Sequence, residues 1–163
     1  MTQSLAAIRL VAFDIDGVFT DGRFYLSDQG VESKAFNTQD GYGIRCLIDA
    51  GIQVAVISGR SSGAVAKRMQ ELDVHHIIQG CRDKIASFDD IVAELGIADA
   101  DCAYVGDDLP DLPLLQKVGY SIAVANAVPE LKEQCDYTTR ASGGHGAVRE
   151  VCDLILAAQG EAA

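Results

Sequence analysis

The sequence predicts an α/β fold: a doubly wound parallel sheet with helices on both faces, one projecting β-hairpin and no cap domain. Three observations predict it. Short apolar, β-branched runs recur along the chain and stop abruptly at polar clusters, the pattern of strands buried on both faces. Segments with apolar residues at three- to four-residue spacing lie between them, as amphipathic helices require. The alternation itself calls for parallel strands joined by right-handed crossovers, and 163 residues suit a single core.

The first strand is Ile8 to Phe13, ending at Asp14-Ile15-Asp16-Gly17. Residues 23–36 then read as a β-hairpin around the polar turn Ser27 to Gly30, inserted directly after that strand. A helix is expected from Gly41 to Ala50, and a strand from Val54 to Ile57 ending at Ser58-Gly59-Arg60. Ser61 or Ser62 is placed to cap a helix through Val65, Met69 and Leu72. A short strand follows at His76 to Gln79. Lys84 to Leu95 carries Ile85, Phe88, Val92 and Leu95 on one face, and Gly96 stops it. Strands at Ala103 to Val105 and Ser121 to Val124 come next, the former ending at Gly106-Asp107-Asp108. The last helix runs from Ala147 to Ala158, with a frayed tail from about residue 159. The reading is one catalytic domain over residues 1–163.

Charge narrows the partners. With 13 Lys and Arg against 24 Asp and Glu the formal charge is -11, so no cationic excess exists to neutralise nucleic-acid phosphates. A small anion held by a few local cations remains compatible. Five cysteines form no CxxC pair, which fits a reduced, cytoplasmic chain better than a disulfide scaffold. The first ten residues do not read as a signal peptide. No apolar run approaches the ~20 residues that span a bilayer, so no membrane partner is expected.

In an open α/β sheet, ligands bind beyond the carboxyl ends of the strands. That rule selects Asp14, Asp16, Ser58, Arg60, Asp107, Asp108 and Asp111. Acidic groups converging on one sheet edge repel unless a cation sits among them, and an all-oxygen donor set favours Mg2+ over Ca2+ or Zn2+. A metal, a lysine and a hydroxyl together suit phosphoryl transfer. An aspartate attacks phosphorus, and a second carboxylate protonates the leaving oxygen and later activates water.

These residues carry a resemblance. Asp14 to Asp21 is similar to the first motif (DxDGxxTD) of the haloacid dehalogenase-like phosphatases; Ser58, Lys84 and Gly106 to Asp111 match the second, third and fourth, in order. The resemblance implies a Rossmannoid fold, Asp14 as nucleophile and Asp16 as acid/base. It implies Ser58 and Lys84 on the phosphoryl oxygens, with Gly59, Arg60 and Thr20 in the substrate-binding set. It also implies Mg2+ on the Asp14 carboxylate, the Asp16 carbonyl and Asp107, with Asp111 supporting through water or Lys84. Only 44 positions separate Asp14 from Ser58, and 26 separate Ser58 from Lys84. Neither gap holds a cap of ~50 residues.

The whole chain most resembles the cap-less branch acting on 3-deoxy-D-manno-octulosonate 8-phosphate (KDO 8-phosphate), through Phe36 to Gly43, Ser58 to Arg60, Gly106 to Asp111 and Gly143 to Glu150. That resemblance implies a homotetramer in which the hairpins pack together and a neighbour covers each site. It implies a sugar phosphate substrate and a place in lipopolysaccharide precursor synthesis. His145 departs from the basic residue, often Arg, expected there, and would make any substrate contact by that stretch pH-dependent.

Several alternatives stay open at this level. A related nine-carbon, sialic-acid-type sugar phosphate fits the same motifs. A phospho-accepting receiver domain also pairs an aspartate with acidic metal ligands, although it places its acceptor after the third strand. Spacing alone leaves Lys67 or Arg82 in the place of Lys84. Arg60 binds a substrate carboxylate or pairs with Glu71 or Asp73. Gly143 to Gly146 is a substrate-covering loop or a flexible linker.

Overall fold

The computed structural model describes residues 4–160. Six parallel strands form the main sheet: β1 (Leu10–Phe13), β4 (Gln53–Ile57), β5 (His76–Ile78), β6 (Cys102–Gly106), β7 (Tyr120–Ala123) and β8 (Tyr137–Thr138). Their order across the sheet is β5-β4-β1-β6-β7-β8. All four residues of β1 are fully buried, and Leu10, Val11 and Phe13 each contribute about 1.5–3 kcal/mol of transfer free energy. Because β1 lies between β4 and β6, the chain winds away from it in both directions. The crevice at that switch point is where this architecture binds ligands.

The helices are α1 (Thr38–Asp49), α2 (Gly63–Glu71), α3 (Lys84–Leu95), the short α4 (Leu112–Leu115) and α5 (Pro129–Lys132), and α6 (Ala147–Ala158). Helix α1 begins three residues before the expected Gly41. Asn37 caps it, its Oδ1 accepting from the Gln39 and Asp40 amides at 2.8 and 3.4 Å. Gly96 ends α3 in the left-handed conformation, as expected. Ser62 occupies the N-cap of α2 without a side-chain bond; its backbone is held by the Gln79 side chain instead. Strand β8 and helices α4 and α5 escaped the sequence reading because two- to four-residue elements carry no periodicity.

Much of the quoted motif sequence proves to be framework. Asp40 is buried and its Oδ1 accepts from the Arg149 amide at 2.9 Å, so a residue of α1 caps α6 from outside. Gly43 leaves room for Cys152 and Arg149, which a Cβ would meet at 3.0 Å. The expected tail also changes: the Gln159 side chain donates to the Ile8 carbonyl at 2.8 Å, while 161–163 lie outside the described residues.

The hairpin is shorter than expected: β2 (Tyr25–Leu26) and β3 (Glu32–Ser33) are its only paired strand residues. Phe36 packs on its own domain, whereas Tyr25, Leu26 and Val31 are 76%, 63% and 63% exposed. Among the described residues no cap domain interrupts the sheet.

Candidate active site

The site is assembled at the carboxyl ends of β1, β4 and β6. The Asp14 amide continues the sheet ladder by donating to the Val105 carbonyl at 3.0 Å, which fixes where its carboxylate emerges. Asp14 Oδ1 then accepts from the Ile15 amide at 2.8 Å and lies 3.1 Å from Lys84 Nζ. Lys84, the first residue of α3, also donates to Asp111 Oδ1 at 2.7 Å and to Tyr104 Oη at 3.1 Å. Lys84 therefore fills the lysine position; neither Lys67 nor Arg82 lines this cavity. The cavity, about 380 Å³, is lined by Asp14, Asp16, Ser58, Gly59, Arg60, Lys84, Asp107, Asp108 and Asp111, with Gly22 and Pro110 at its edge.

Asp111 is a structural hub. Its Oδ1 accepts from Tyr104 Oη and Lys84, both at 2.7 Å, and its Oδ2 accepts from the Asp107 and Asp108 amides at 3.0 and 3.3 Å. Asp108 completes a reciprocal cap with Asp111 around the turn Leu109–Asp111. Gly106 permits the close approach, since a Cβ there would lie 2.6 Å from Asp111 Cβ.

Electrostatics in this cluster are unbalanced. Burial, then the neighbouring Asp111 charge, pushes Asp14 up to about 6, although Lys84 opposes the shift. Burial, then Asp14 and Asp111, pushes Asp107 up to about 8. Burial alone would lower Lys84, but the Asp14 and Asp111 carboxylates outweigh it and hold the ammonium up. One lysine thus faces three carboxylates whose oxygens lie within 4.8 Å of one another. An all-oxygen cluster short of positive charge fits a hard divalent cation such as Mg2+. The Asp16 carboxylate is outside this trio, so any part Asp16 takes in metal binding falls to its backbone.

Gly17 explains how Asp107 reaches the cluster. Its φ is +86°, and a Cβ there would sit 1.9 Å from Asp107 Oδ2. Gly17→Ala is therefore expected to raise the Mg2+ concentration giving half-maximal rate about 10–100-fold, measured by titrating activity with Mg2+.

Two expectations need correction. Thr20, expected to touch substrate, is buried and off the cavity wall. Its Oγ1 accepts from the Gly17 and Gly22 amides at 3.2 and 3.1 Å, so it shapes the loop after β1. The Gly143 to Gly146 stretch is neither linker nor cover for its own site. Gly143 donates to Asn126 Oδ1 at 2.6 Å, Asn126 Nδ2 donates to the Gly17 carbonyl at 3.0 Å, and Gly144 donates to the Val18 carbonyl at 3.3 Å. The stretch braces the loop after β1 from behind, and His145 is not among the cavity residues.

Arg60 lines the cavity, but its ion-pair partner is neither Glu71 nor Asp73, which pair with Arg68 and Arg45. Arg60 lies 2.6 Å from Glu32 and 4.3 Å above the Phe24 ring. Ser58 is buried, and its amide donates to the Ile78 carbonyl at 2.9 Å. Tyr104, Asn126 and Lys34 were missed by sequence reasoning. Tyr104 reads as a plain strand residue, Asn126 lies in an unremarkable turn, and Lys34 reads as a polar hairpin position.

Comparison with known proteins agrees with this geometry. Residues 75–151 match the haloacid dehalogenase-like hydrolase family. The chain is 51% identical over 154 residues to the 3-deoxy-D-manno-octulosonate 8-phosphate phosphatase of Escherichia coli K12, covering 94% of this chain and 82% of that protein. The crystal structure of the Yersinia pestis phosphatase of the same name superposes with a TM-score of 0.95 at 49% identity, over 96% of this chain and 85% of that one. The Moraxella catarrhalis phosphatase, solved with a magnesium ion, a phosphate ion and KDO, gives a TM-score of 0.93 at 46% identity, over 96% and 90% of the two chains.

Proposed function

The chain belongs to the haloacid dehalogenase-like hydrolases, and from that premise we propose that it is a Mg2+-dependent phosphomonoesterase converting KDO 8-phosphate to KDO and phosphate. The observation that carries the chemistry is Asp14 beside Lys84 Nζ, 3.1 Å away, in one cavity with Asp16. Relatives about half identical across nearly the whole chain support the substrate.

In the first step the Asp14 carboxylate attacks phosphorus and the bond to the sugar oxygen breaks. Asp16 gives its proton to that oxygen. In the second step Asp16 takes a proton from water, the water oxygen attacks phosphorus, and the Asp14–phosphoryl bond breaks to release phosphate. Ser58 and Lys84 hold the phosphoryl oxygens through both steps. Bound by the Asp14 and Asp107 carboxylates and the Asp16 carbonyl, with Asp111 in support, Mg2+ supplies the positive charge that a transferring phosphoryl group requires. Arg60 serves the carboxylate end of the substrate, exchanging Glu32 for it.

The deciding assay compares KDO 8-phosphate with a nine-carbon acidic sugar phosphate at matched concentrations. A higher kcat/KM for the eight-carbon substrate is expected, and the reverse order would replace the assignment. Release of many phosphates per chain is also expected, whereas a single slow phosphorylation would favour the receiver reading.

The assembly belongs to the same proposal. An uncapped site stands open to water unless something covers it, and a two-stranded ribbon is marginal alone. The exposed Tyr25, Leu26 and Val31 therefore suit burial against other copies in a homotetramer. Tyr25→Asp with Leu26→Asp should yield a smaller species by light scattering, with kcat/KM down about 10–100-fold as closure is lost. A tetramer that persists would move the interface elsewhere. Cytoplasmic residence and a step in lipopolysaccharide precursor synthesis complete the proposal; among the described residues no helix is long and apolar enough to cross a membrane.

A further inference from the structure

The hairpin ends in a contact that neither the catalytic motifs nor subunit packing requires. Lys34, directly after β3, has a side chain only 1% exposed, and its Nζ donates to Asp16 Oδ1 at 2.6 Å. Its second anion is Glu32, whose Oε1 lies 3.3 Å away, while Glu32 Oε2 lies 2.6 Å from Arg60. Arg60 in turn covers Phe24 on the other arm of the hairpin. A buried ammonium is costly unless acceptors surround it, so this arrangement ties the hairpin to Asp16 at one defined point.

We propose that Lys34 is a positioning residue for Asp16: it holds Oδ1 so that the other carboxylate oxygen exchanges protons with the sugar oxygen and then with water. The inference rests on the acid/base reading of Asp16 above. Its physical content is orientational. Aspartate has two χ angles and a free carboxylate rotates, whereas one short charge-assisted bond selects a single oxygen for chemistry. It also couples the order of a marginal hairpin to the reaction, through Glu32, Lys34 and Asp16.

The test uses the full chain with Mg2+ and two substrates of different leaving-group demand. KDO 8-phosphate needs a proton on its departing alkoxide; p-nitrophenyl phosphate does not. Lys34→Met is expected to lower kcat on KDO 8-phosphate about 100-fold, with KM changed by less than about threefold. With p-nitrophenyl phosphate the first step survives and the second slows. Rapid mixing should therefore show a burst of about one p-nitrophenolate per chain. Lys34→Arg, which keeps the cation, should return kcat to within about tenfold of the parent. Should methionine prevent folding, Lys34→Gln reads out the same split.

Equal losses on both substrates without a burst, or a change confined to KM, would overturn the positioning role. Asp16→Asn is measured alongside. If it keeps full turnover on KDO 8-phosphate, the acid/base reading itself has failed; if it shows the burst while Lys34→Met behaves like the parent, only the role of Lys34 has failed.

Discussion

Asp14→Asn is expected to abolish turnover and, in the same protein, to raise the melting temperature without metal. The amide is isosteric but cannot form an acyl phosphate, so a loss of about 10⁵–10⁶-fold in kcat is expected, the scale seen when a nucleophile is removed. The stability gain follows from the charge imbalance. Asp14 is pushed up to about 6 by burial and Asp111, so near pH 8 its ionised form is held in the fold against its environment. A neutral side chain removes that penalty while Lys84 keeps Asp111 at 2.7 Å. A rise of a few degrees is expected at pH 8 in EDTA, at about 2–4 °C per kcal/mol for a chain of this size. The gain should shrink as pH falls towards 4 and vanish below it, where Asp14 is protonated in the folded and the unfolded chain alike. Retained turnover would remove the nucleophile assignment, and a lower melting temperature at pH 8 would contradict the strained-charge account.

Removing the metal is expected to have an equally large effect, with a pH dependence of definite sign. Asp14 and Asp107 are raised from 3.8 to about 6 and about 8. Between about pH 4 and pH 8 the folded metal-free protein therefore holds more protons than the unfolded chain, and its stability falls as pH rises. Below that window both states are protonated and the contribution is fully present. A divalent cation binds the ionised form, so its stabilising effect must grow with pH. At one hundred times its dissociation constant a ligand adds about 2.7 kcal/mol, which corresponds to about 5–10 °C here. Differential scanning fluorimetry with Mg2+ against EDTA at pH 5, 6.5 and 8 measures this. A shift independent of pH would refute the linkage, and activity surviving chelation would refute the metal requirement.

That these residues gather at one cavity was legible because they sit at strand ends, where an open sheet presents them regardless of loop detail. Asp14, Ser58 and Asp107 follow three strands that lie side by side, and Lys84 opens the helix that faces them. The helix and strand positions were legible for the same reason: periodicity and caps such as Gly96 are local. What was not legible was the way a loop turns a side chain and any pairing distant in sequence. Thr20 carries the right chemistry for substrate, yet the turn folds its hydroxyl onto two amides. Arg60 was matched to acids near it in sequence, while its partner sits on the hairpin, 28 positions away.

By itself, then, the sequence determined the α/β architecture, the absence of room for a cap, and the identity of the residues gathered at the site. Those follow from side-chain period, segment length and strand-end chemistry, all of which act over a few neighbouring residues. Tertiary structure alone decided that the glycine stretch braces the first loop through Asn126, that Tyr104 and Lys84 share Asp111, and that Lys34 reaches Asp16. Each of these joins groups that approach only after the sheet is wound and the hairpin has folded back. Their partners are set by short distances in space, and a buried charge accepts whichever counter-charge the packed chain brings to it.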